Sequence, residues 1–449
     1  MKHSLMSLIL MILSFSIAIC GAAAEPLESQ SCTLSVYMPM GNEEGNTAFQ
    51  KMHPQVEMKT VGHLTKDDIF TLVLTQSSDV DLFGSNTYNL PSYRELISRE
   101  FYMPIESEKL KSFANGCYPG VRDVLFVDDQ LVGVPVWCLQ AYQFGIEKSM
   151  WQELGMDETI IPKTWIELFD FIQNQWPALS ADHPDWCAIR ANDYWLLFYE
   201  MLNSYSVYRQ QLSVDPGYDT EVFRDTMSAY LSIQPEDQTD DDSDKKALFS
   251  AELQISPVAP DIYSDTRYDY AAIGYTEDGD AKAYITLGLM VINPYSENRE
   301  LCEAYLECLV DNMDPIHRAT LQSGDFTPVL TEWWDEFSAE YQATTENYHT
   351  RIDSTDDDAT RKALQLELDA YIEDCSDLLK NQWLISPESI ENYRRTIKDQ
   401  VVMWDDALNE REVQLFLDMC DRVHERTIPV DAIVSQMNRI YYFKALEDS

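Results

Sequence analysis

Aromatic side chains are the residues of this sequence best suited to bind another molecule. The 449 residues include ten tryptophans and 25 tyrosines, and aromatic residues make up 12% of the chain. A sugar ring has apolar C–H faces edged by hydroxyl groups, so a carbohydrate site needs aromatic rings to stack on those faces, with amide or carboxylate groups beside them. Stacking removes apolar area from water, which is worth about 25 cal/mol per Å². Most aromatic residues pack in protein cores, so position in the chain must decide which of them bind a ligand.

The sequence contains none of the common catalytic or phosphate-binding motifs. It has no G-x-S-x-G, no H-E-x-x-H and no glycine-rich phosphate loop, and no two of its seven histidines stand at i and i+4. Among 77 acidic residues, a pair of carboxylates at glycosidase spacing carries no information. We therefore expect a protein that is not an enzyme.

An acidic run at 239–244 has part of the pattern of a calcium-binding loop. Asp240, Asp242 and Asp244 have the D-x-D-x-D spacing, but Lys245 stands where the loop needs glycine, and Ala251 where it needs glutamate. The run is interpreted as a solvated surface loop. We expect neither a metal ion nor another cofactor.

The stretch 129–176 contains strand, turn and helix signals in a fixed order. Thr164 and Glu167 have the spacing of a capping box, in which each side chain accepts a hydrogen bond from the other residue's backbone N–H. The apolar residues that follow stand at i, i+3, i+4 and i+7; they are Trp165, Leu168, Phe169 and Ile172. The pattern predicts a helix that begins at this point and packs one face against a core.

The order of these parts resembles the extracellular solute-binding proteins of ABC importers (family 1), the clamshell type that captures sugars. A G-x-P strand at 133–135 is followed by a strand and polar turn at 142–148, a short helix ending in L-G at 150–155, and P-K-T-W-I-E-L at 162–168. The resemblance implies a two-lobed α/β fold of the periplasmic-binding-protein type (type II), with a helical C-terminal region. It is weakest at 204–256 and 332–358.

The resemblance also divides the mature chain, 25–449, into two lobes. It places lobe 1 at about 32–137 and 288–328, and lobe 2 at about 138–287 and 329–449. The chain would then cross between the lobes at least twice, which permits hinge closure on a ligand.

The candidates for ligand binding are the side chains that the resemblance places in the cleft between the lobes. They follow the strand ending at Phe83, the G-x-P strand, the strand at 187–190 and the T-P-V segment at 327–329. They are Asn86, Tyr88, Trp137, Gln140, Asn192, Tyr194, Trp195 and Trp333. Among them, we expect the adjacent rings of Tyr194 and Trp195 to contact the ligand.

The first 24 residues have the features of a signal peptide. Lys2 supplies a positive charge, residues 5–19 form an apolar run too short to span a membrane, and residues 22–24 match the A-x-A pattern of a cleavage site. Cys20 leaves an alternative open, because a bacterial lipoprotein is cut before such a cysteine and carries lipid on it. The protein is therefore expected at the cell exterior, either free or held by a lipid anchor on Cys20.

The charge of the chain excludes several classes of partner. Its 32 basic and 77 acidic residues give a net charge of −45. Such a charge repels phosphate backbones and anionic lipid headgroups, so we expect no binding to nucleic acid or to membrane surfaces. The expected partners are a small-molecule ligand and the permease of an ABC transporter, and we expect a monomer.

The cysteines do not define a disulfide framework. Eight of the nine follow the leader, none forms a C-x-x-C, and eight cysteines can pair in 105 ways. Buried free thiols are the alternative interpretation.

The sequence thus predicts a substrate-binding component that captures a sugar or oligosaccharide between two lobes. Two alternatives stay open. The same fold could bind a non-sugar solute such as a peptide, polyamine or polyol, or the protein could be an exported carbohydrate-active hydrolase.

Overall fold

The computed structural model describes residues 32–38, 42–85, 93–140, 143–190, 193–213, 215–233, 245–253, 255–258, 268–276, 281–403 and 410–447. For residues 93–95, 137–140, 410–413 and 441–447 it describes the backbone alone. The described strands are β1 (Cys32–Tyr37), β2 (Val56–Thr60), β3 (Leu82–Ser85), β4 (Phe126–Val127), β5 (Gln130–Leu131), β6 (Val134–Gln140), β7 (Gln143–Ile146), β8 (Trp186–Cys187), β9 (Lys246–Ala247), β10 (Phe249–Leu253), β11 (Asp269–Tyr270), β12 (Tyr284–Ile292), β13 (Val329–Leu330), β14 (Trp383–Ile385) and β15 (Val401–Val402).

The helices alternate with these strands up to β13 and dominate the chain after it. They are α1 (Glu43–Met52), α2 (Lys66–Leu74), α3 (Tyr93–Ser98), α4 (Glu108–Asn115), α5 (Pro119–Leu125), α6 (Lys148–Glu153), α7 (Trp165–Asp170), α8 (Trp176–Leu179), α9 (Tyr194–Gln210), α10 (Glu221–Ser232), α11 (Arg299–Asp311), α12 (Pro315–Leu321), α13 (Trp334–Asp353), α14 (Asp358–Asp374), α15 (Ser376–Lys380), α16 (Pro387–Thr396), α17 (Glu410–His424) and α18 (Val430–Glu447). A π-helical turn, Phe171–Gln175, joins α7 to α8, and short 3-10 turns cover Glu158–Ile160 and Ser180–Asp182.

A six-stranded sheet forms the centre of the first lobe. In it, β12 pairs antiparallel with β3 and β6 and parallel with β15, while β1 lies between β3 and β2. Every residue of β12 is buried, as expected for a strand that is covered on both faces. The first hydrophobic core surrounds this sheet and draws its side chains from 34–136, 285–321 and 385–402.

A second hydrophobic core defines the second lobe. Its side chains come from 144–275 and 419–437. Its three-stranded sheet has the order β10, β7, β11, and the parallel pair β8 and β9 continues towards β10, since the N–H of Phe249 donates to the carbonyl oxygen of Ala188 at 2.9 Å. The described chain passes between the two cores after β6, before β12 and after β15, so the molecule is built as two lobes with several connections.

The C-terminal part of the chain is helical, but it contributes to both lobes. The sequence-based limits assign 329–449 to the second lobe, whereas Ile385, Ile390 and Val402 pack in the first core. The reason is the pairing of β15 with β12, in which the N–H of Met403 donates to the carbonyl oxygen of Ile285 at 2.8 Å. Of the C-terminal helices, α17 and α18 pack in the second core.

The capping box predicted at the start of α7 is present. The N–H of Glu167 donates to the hydroxyl of Thr164 at 3.2 Å, and the N–H of Thr164 donates to the carboxylate of Glu167 at 3.1 Å. The three apolar residues of α7 that the pattern singled out, Trp165, Leu168 and Phe169, belong to the second core. The predicted helix, with its capping box and its apolar face packed against a core, is therefore confirmed.

The cysteines whose side chains the structure describes are free thiols. They are Cys32, Cys117, Cys187, Cys302, Cys308, Cys375 and Cys420. Burial raises the pKa of Cys117 and of Cys302 to about 12, so both thiols are protonated at neutral pH and pack as small apolar side chains. In the described ranges, every helix is too short or too polar to cross a lipid bilayer.

Candidate ligand-binding site

The structure describes three of the eight predicted ligand-binding side chains. Asn86, Tyr88 and Asn192 lie outside the described residues. Trp137 and Gln140 lie at the end of β6, where only the backbone is described, and both pair with β12. Tyr194, Trp195 and Trp333 are described with their surroundings.

Helix α9 positions Tyr194 and Trp195. It follows the short strand β8. Most of its surface is buried, because it packs against β10, β7, α10 and α17 of the second lobe. Its first turn therefore lies beyond the carboxyl end of β8. In open α/β sheets, this edge is where ligands bind.

The two adjacent aromatic residues have different environments. Tyr194 belongs to the second core, and its backbone carbonyl accepts a hydrogen bond from the hydroxyl of Tyr230 at 2.9 Å. Trp195 is 47% exposed, whereas Trp165 is 0% exposed. Of the pair, Tyr194 thus supports the start of α9 and Trp195 presents a ring to solvent.

Trp195 lines a cavity of about 210 Å³ on the second lobe. Trp195, Phe198 and Tyr199 stand at i, i+3 and i+4 on one face of α9, and α10 and α17 supply the facing wall. The remaining lining residues are Tyr230, Leu417, Cys420, Asp421, Val423 and His424. The cavity is thus predominantly aromatic and aliphatic, with a few polar groups.

The aromatic wall of this cavity is held in place by ring contacts. The ring of Trp195 meets that of Tyr199 edge to face, with centroids 5.5 Å apart, and Phe198 packs 5.8 Å from Tyr230. The guanidinium of Arg426 lies 4.3 Å above the ring of Tyr230. These contacts fix the rings before a ligand arrives, which lowers the entropy lost on binding.

Polar groups lie at the α17 side of the cavity. Asp421 and His424 are exposed, and they offer an acceptor and an imidazole to a hydroxyl-bearing ligand. Cys420 is partly buried; burial raises the pKa of its thiol to about 11, although a hydrogen bond with Tyr199 lowers it in part. Cys420 is therefore a neutral thiol at physiological pH.

A second polar group lies at the start of α9. Asp193 is buried, and the pKa of its carboxyl is raised to about 6, mainly by burial and also by the neighbouring charge of Glu252, while Arg190 lowers it in part. Glu252 stands near the end of β10, so this cluster also lies where strands of the second lobe end. Neither carboxyl belongs to the lining of the cavity at Trp195.

Trp333 belongs to a different part of the molecule. It precedes α13, is 38% exposed, and begins a row of touching aromatic rings along the hairpin formed by α13 and α14. The row comprises Trp333, Trp334, Phe337, Tyr341, Tyr371 and Tyr348. None of these rings lines the cavity at Trp195, so the described residues do not bring Trp195 and Trp333 together in one pocket.

Of the residues that line the cavity, only Trp195 is among the candidates predicted from the sequence. Tyr199 could have been found from helical periodicity, since it lies one turn after Trp195. The residues of α17 are more than 200 positions away, and no short motif marks them. Among the described residues, no three histidine, cysteine, aspartate or glutamate side chains come together to hold a metal ion.

No family profile matches the chain, and no curated protein matches it in sequence. Its fold matches solved structures, among them that of a bacterial solute receptor. AcbH, described as having an exclusive substrate preference for β-D-galactopyranose, matches with a TM-score of 0.53 and 12% identity, over 92% of this chain and 99% of its own. The GacH receptor of Streptomyces glaucescens has a TM-score of 0.47 and 11% identity, over 93% and 99%. Maltose-bound MalE3 of T. maritima has a TM-score of 0.45 and 14% identity, over 92% and 99%.

The match to AcbH extends over nearly the whole chain and includes both lobes. At 12% identity it shows the fold and leaves the ligand undefined. The predicted fold class is confirmed: the chain has the two-lobed α/β fold of the periplasmic-binding-protein type, with a helical C-terminal region.

Proposed function

We propose that this protein is the extracellular substrate-binding component of an ABC transporter and that it captures a sugar or oligosaccharide between its two lobes. The observation that carries the proposal is the aromatic cavity at the start of α9, where Trp195 offers a half-exposed ring beside polar groups. A receptor of the same fold, AcbH, is described as preferring a galactopyranose. The sequence supports a binding protein rather than an enzyme, because it lacks catalytic motifs.

The size of the cavity supports a site that is completed by a second wall. Pockets for small molecules usually measure about 300–1,000 Å³ and bury most of the ligand. The cavity of about 210 Å³ on the second lobe is smaller than this range. In the proposal, the remaining wall comes from the first lobe, where Asn86, Tyr88, Trp137 and Gln140 are the candidates, and Asn192 adds to the rim.

Because carboxylates lie near the cavity, a cationic solute is the alternative class of ligand. Asp421, Asp193 and Glu252 can accept hydrogen bonds from sugar hydroxyls, but they would also attract a cationic solute such as a polyamine. The aromatic lining favours the sugar, because flat C–H faces match flat rings.

A thermal-shift screen of the purified mature chain tests the proposed function. Mono- and oligosaccharides, a polyol, short peptides and spermidine are added separately, and the unfolding midpoint is recorded. A ligand at 100 times its Kd is expected to stabilise the protein by about 2.7 kcal/mol. A shift with spermidine or a peptide alone would contradict the carbohydrate assignment. Release of the chromophore from chromogenic glycosides by the same sample would contradict the assignment as a non-enzyme.

Ligand binding is expected to make the molecule more compact. A site formed between two lobes is complete only when both lobes contribute contacts, so the ligand shifts the population towards the closed form. Small-angle X-ray scattering with the saccharide found in the screen should give a smaller radius of gyration than without it. An unchanged scattering profile at saturation would indicate a rigid pocket on one lobe.

The proposed location and partners follow from the same function. We infer export through the leader at 1–24, with the mature protein either free or anchored by lipid on Cys20. The membrane permease of the importer would receive the ligand from a monomeric receptor, and no cofactor takes part.

A further inference from the structure

A buried carboxyl group lies at the junction of the two lobes. Glu200, in the middle of α9, is 4% exposed. Its carboxyl oxygen accepts a hydrogen bond from the hydroxyl of Tyr284, the first residue of β12. Because α9 belongs to the second core and β12 is the central strand of the first sheet, this bond joins the two lobes directly.

Further contacts tie the same junction together. The side-chain amide of Gln143, at the start of β7, donates to the backbone carbonyl of Tyr284 at 3.2 Å. The amide of Gln210, at the end of α9, donates to the carbonyl of Val402 in β15 at 3.2 Å. Both β12 and β15 are therefore attached to the second lobe by side chains that reach across the junction.

Among the described residues, the groups that face Glu200 are neutral. Tyr284 from β12 and Tyr270 from β11 are tyrosines whose own pKa values are raised by burial, so neither carries a charge near neutral pH. Asn203, on the next turn of α9, shares a hydrogen bond with Tyr284. Gln143 is the polar group that β7 brings to the junction.

The charged and titratable groups on the other elements packed against α9 act elsewhere along the helix. The charge of Glu252 in β10 raises the pKa of Asp193 at the start of α9, and the thiol of Cys420 in α17 shares a hydrogen bond with Tyr199. From α17, Asp421 and His424 line the exposed cavity at Trp195. Burial is accordingly the main cause of the shift in the pKa of Glu200.

Burial without a compensating charge favours the protonated carboxyl. It raises the pKa of Glu200 from 4.5 to about 8, and the hydrogen bond from Tyr284 offsets only part of this effect. When the junction opens and water reaches Glu200, the pKa returns towards 4.5. The closed junction is therefore fully stabilised below about pH 4.5, and this stabilisation is lost progressively as the pH rises to about 8.

We propose that Glu200 and Tyr284 form a proton-dependent latch, which holds β12 against α9 while Glu200 is protonated and loosens when Glu200 releases its proton. The lobes would consequently be joined more firmly in an acidic exterior than in an alkaline one. The proposal concerns the junction alone and does not depend on the identity of a ligand.

Hydrogen exchange of the full mature chain without ligand tests the latch. The amides of Val401 and Met403 donate to the carbonyls of Ala283 and Ile285, which flank Tyr284. They report separation of β15 from β12, the two strands that Gln210 and Glu200 attach to α9. After correction for intrinsic exchange, their opening constant is expected to rise about tenfold per pH unit between pH 5 and 8, hence about a hundredfold from pH 5.5 to 7.5, and to level off above about pH 8.

Two variants separate the latch from a structural role. Glu200→Gln keeps the shape but cannot ionise, so its opening constant should stay flat with pH. Tyr284→Phe removes the bond and should raise the opening constant at pH 5.5 about tenfold. As a control, Glu147→Gln alters a buried carboxyl at the start of α6 in the second lobe, away from the junction, and should keep the wild-type pH profile. A wild-type profile in Glu200→Gln, no change in Tyr284→Phe, or an equal rise at the β1–β2 amides would overturn the proposal.

Discussion

Replacement of Trp195 by alanine is expected to weaken binding of the saccharide by about thirty- to several-hundred-fold, or about 2 to 4 kcal/mol, as for a hot-spot residue. The indole is half exposed and lines the cavity, so its main contact in the bound state would be with the ligand. The unfolding free energy should fall by only about 1 kcal/mol, since the ring loses mainly its edge-to-face contact with Tyr199. Isothermal titration calorimetry and chemical denaturation measure the two effects.

Trp165 provides the matched control for this substitution. Its ring is fully buried in the second core, and its indole N–H donates to the hydroxyl of Ser204 at 2.9 Å. Trp165→Ala should lower the unfolding free energy by about 3 to 5 kcal/mol, as for other core tryptophans, and leave the affinity of the folded fraction nearly unchanged. If Trp195→Ala behaves like Trp165→Ala, unfolding easily yet binding normally at low temperature, Trp195 belongs to the core and the site lies elsewhere.

Replacement of Asp81 by alanine is expected to lower the unfolding free energy by about 3 to 5 kcal/mol. The buried carboxylate accepts hydrogen bonds from the N–H of Ser35 at 2.8 Å, the hydroxyl of Ser296 at 2.6 Å and the side-chain amide of Asn298 at 3.1 Å. It thereby joins β1 to the loop between β12 and α11. Its removal leaves buried donors without an acceptor, and each costs about 1–3 kcal/mol. Urea denaturation followed by circular dichroism measures the loss.

Asp79 is the control for Asp81, two residues earlier in the chain. It is exposed, and its carboxylate accepts a hydrogen bond from the hydroxyl of Ser77 at 2.8 Å. Asp79→Ala should therefore change the unfolding free energy by no more than about 0.5 kcal/mol. If Asp81→Ala lowered the unfolding free energy as little as Asp79→Ala, the hydrogen bonds of Asp81 would not stabilise the first lobe.

Several local features could be predicted from the sequence because they depend on residues close together in the chain. The capping box of Thr164 and Glu167 spans three residues, and the apolar stripe of α7 follows helical periodicity. The order of such signals along 129–176 resembles that of the extracellular solute-binding proteins, and this resemblance implied the two-lobed α/β fold.

The sequence did not determine which lobe each C-terminal segment joins. β15 is only two residues long, and its place beside β12 depends on hydrogen bonds between residues more than 100 positions apart. Adjacent aromatic residues were likewise indistinguishable by type. In the structure, Tyr194 turns into the second core and Trp195 turns outwards, because successive residues on a helix lie about 100° apart and only one of these directions faces the core.

The sequence by itself determined local features such as the start and the buried face of α7, since capping and periodicity signals act over a few residues. Only the tertiary structure decided which side chains meet. The cavity joins Trp195 of α9 to His424 of α17, and the lobe junction joins Glu200 to Tyr284, 84 positions later. Such contacts arise from the packing of whole elements around two cores. A buried carboxyl like that of Glu200 is therefore indistinguishable, in sequence, from the many exposed ones that surround the protein with negative charge.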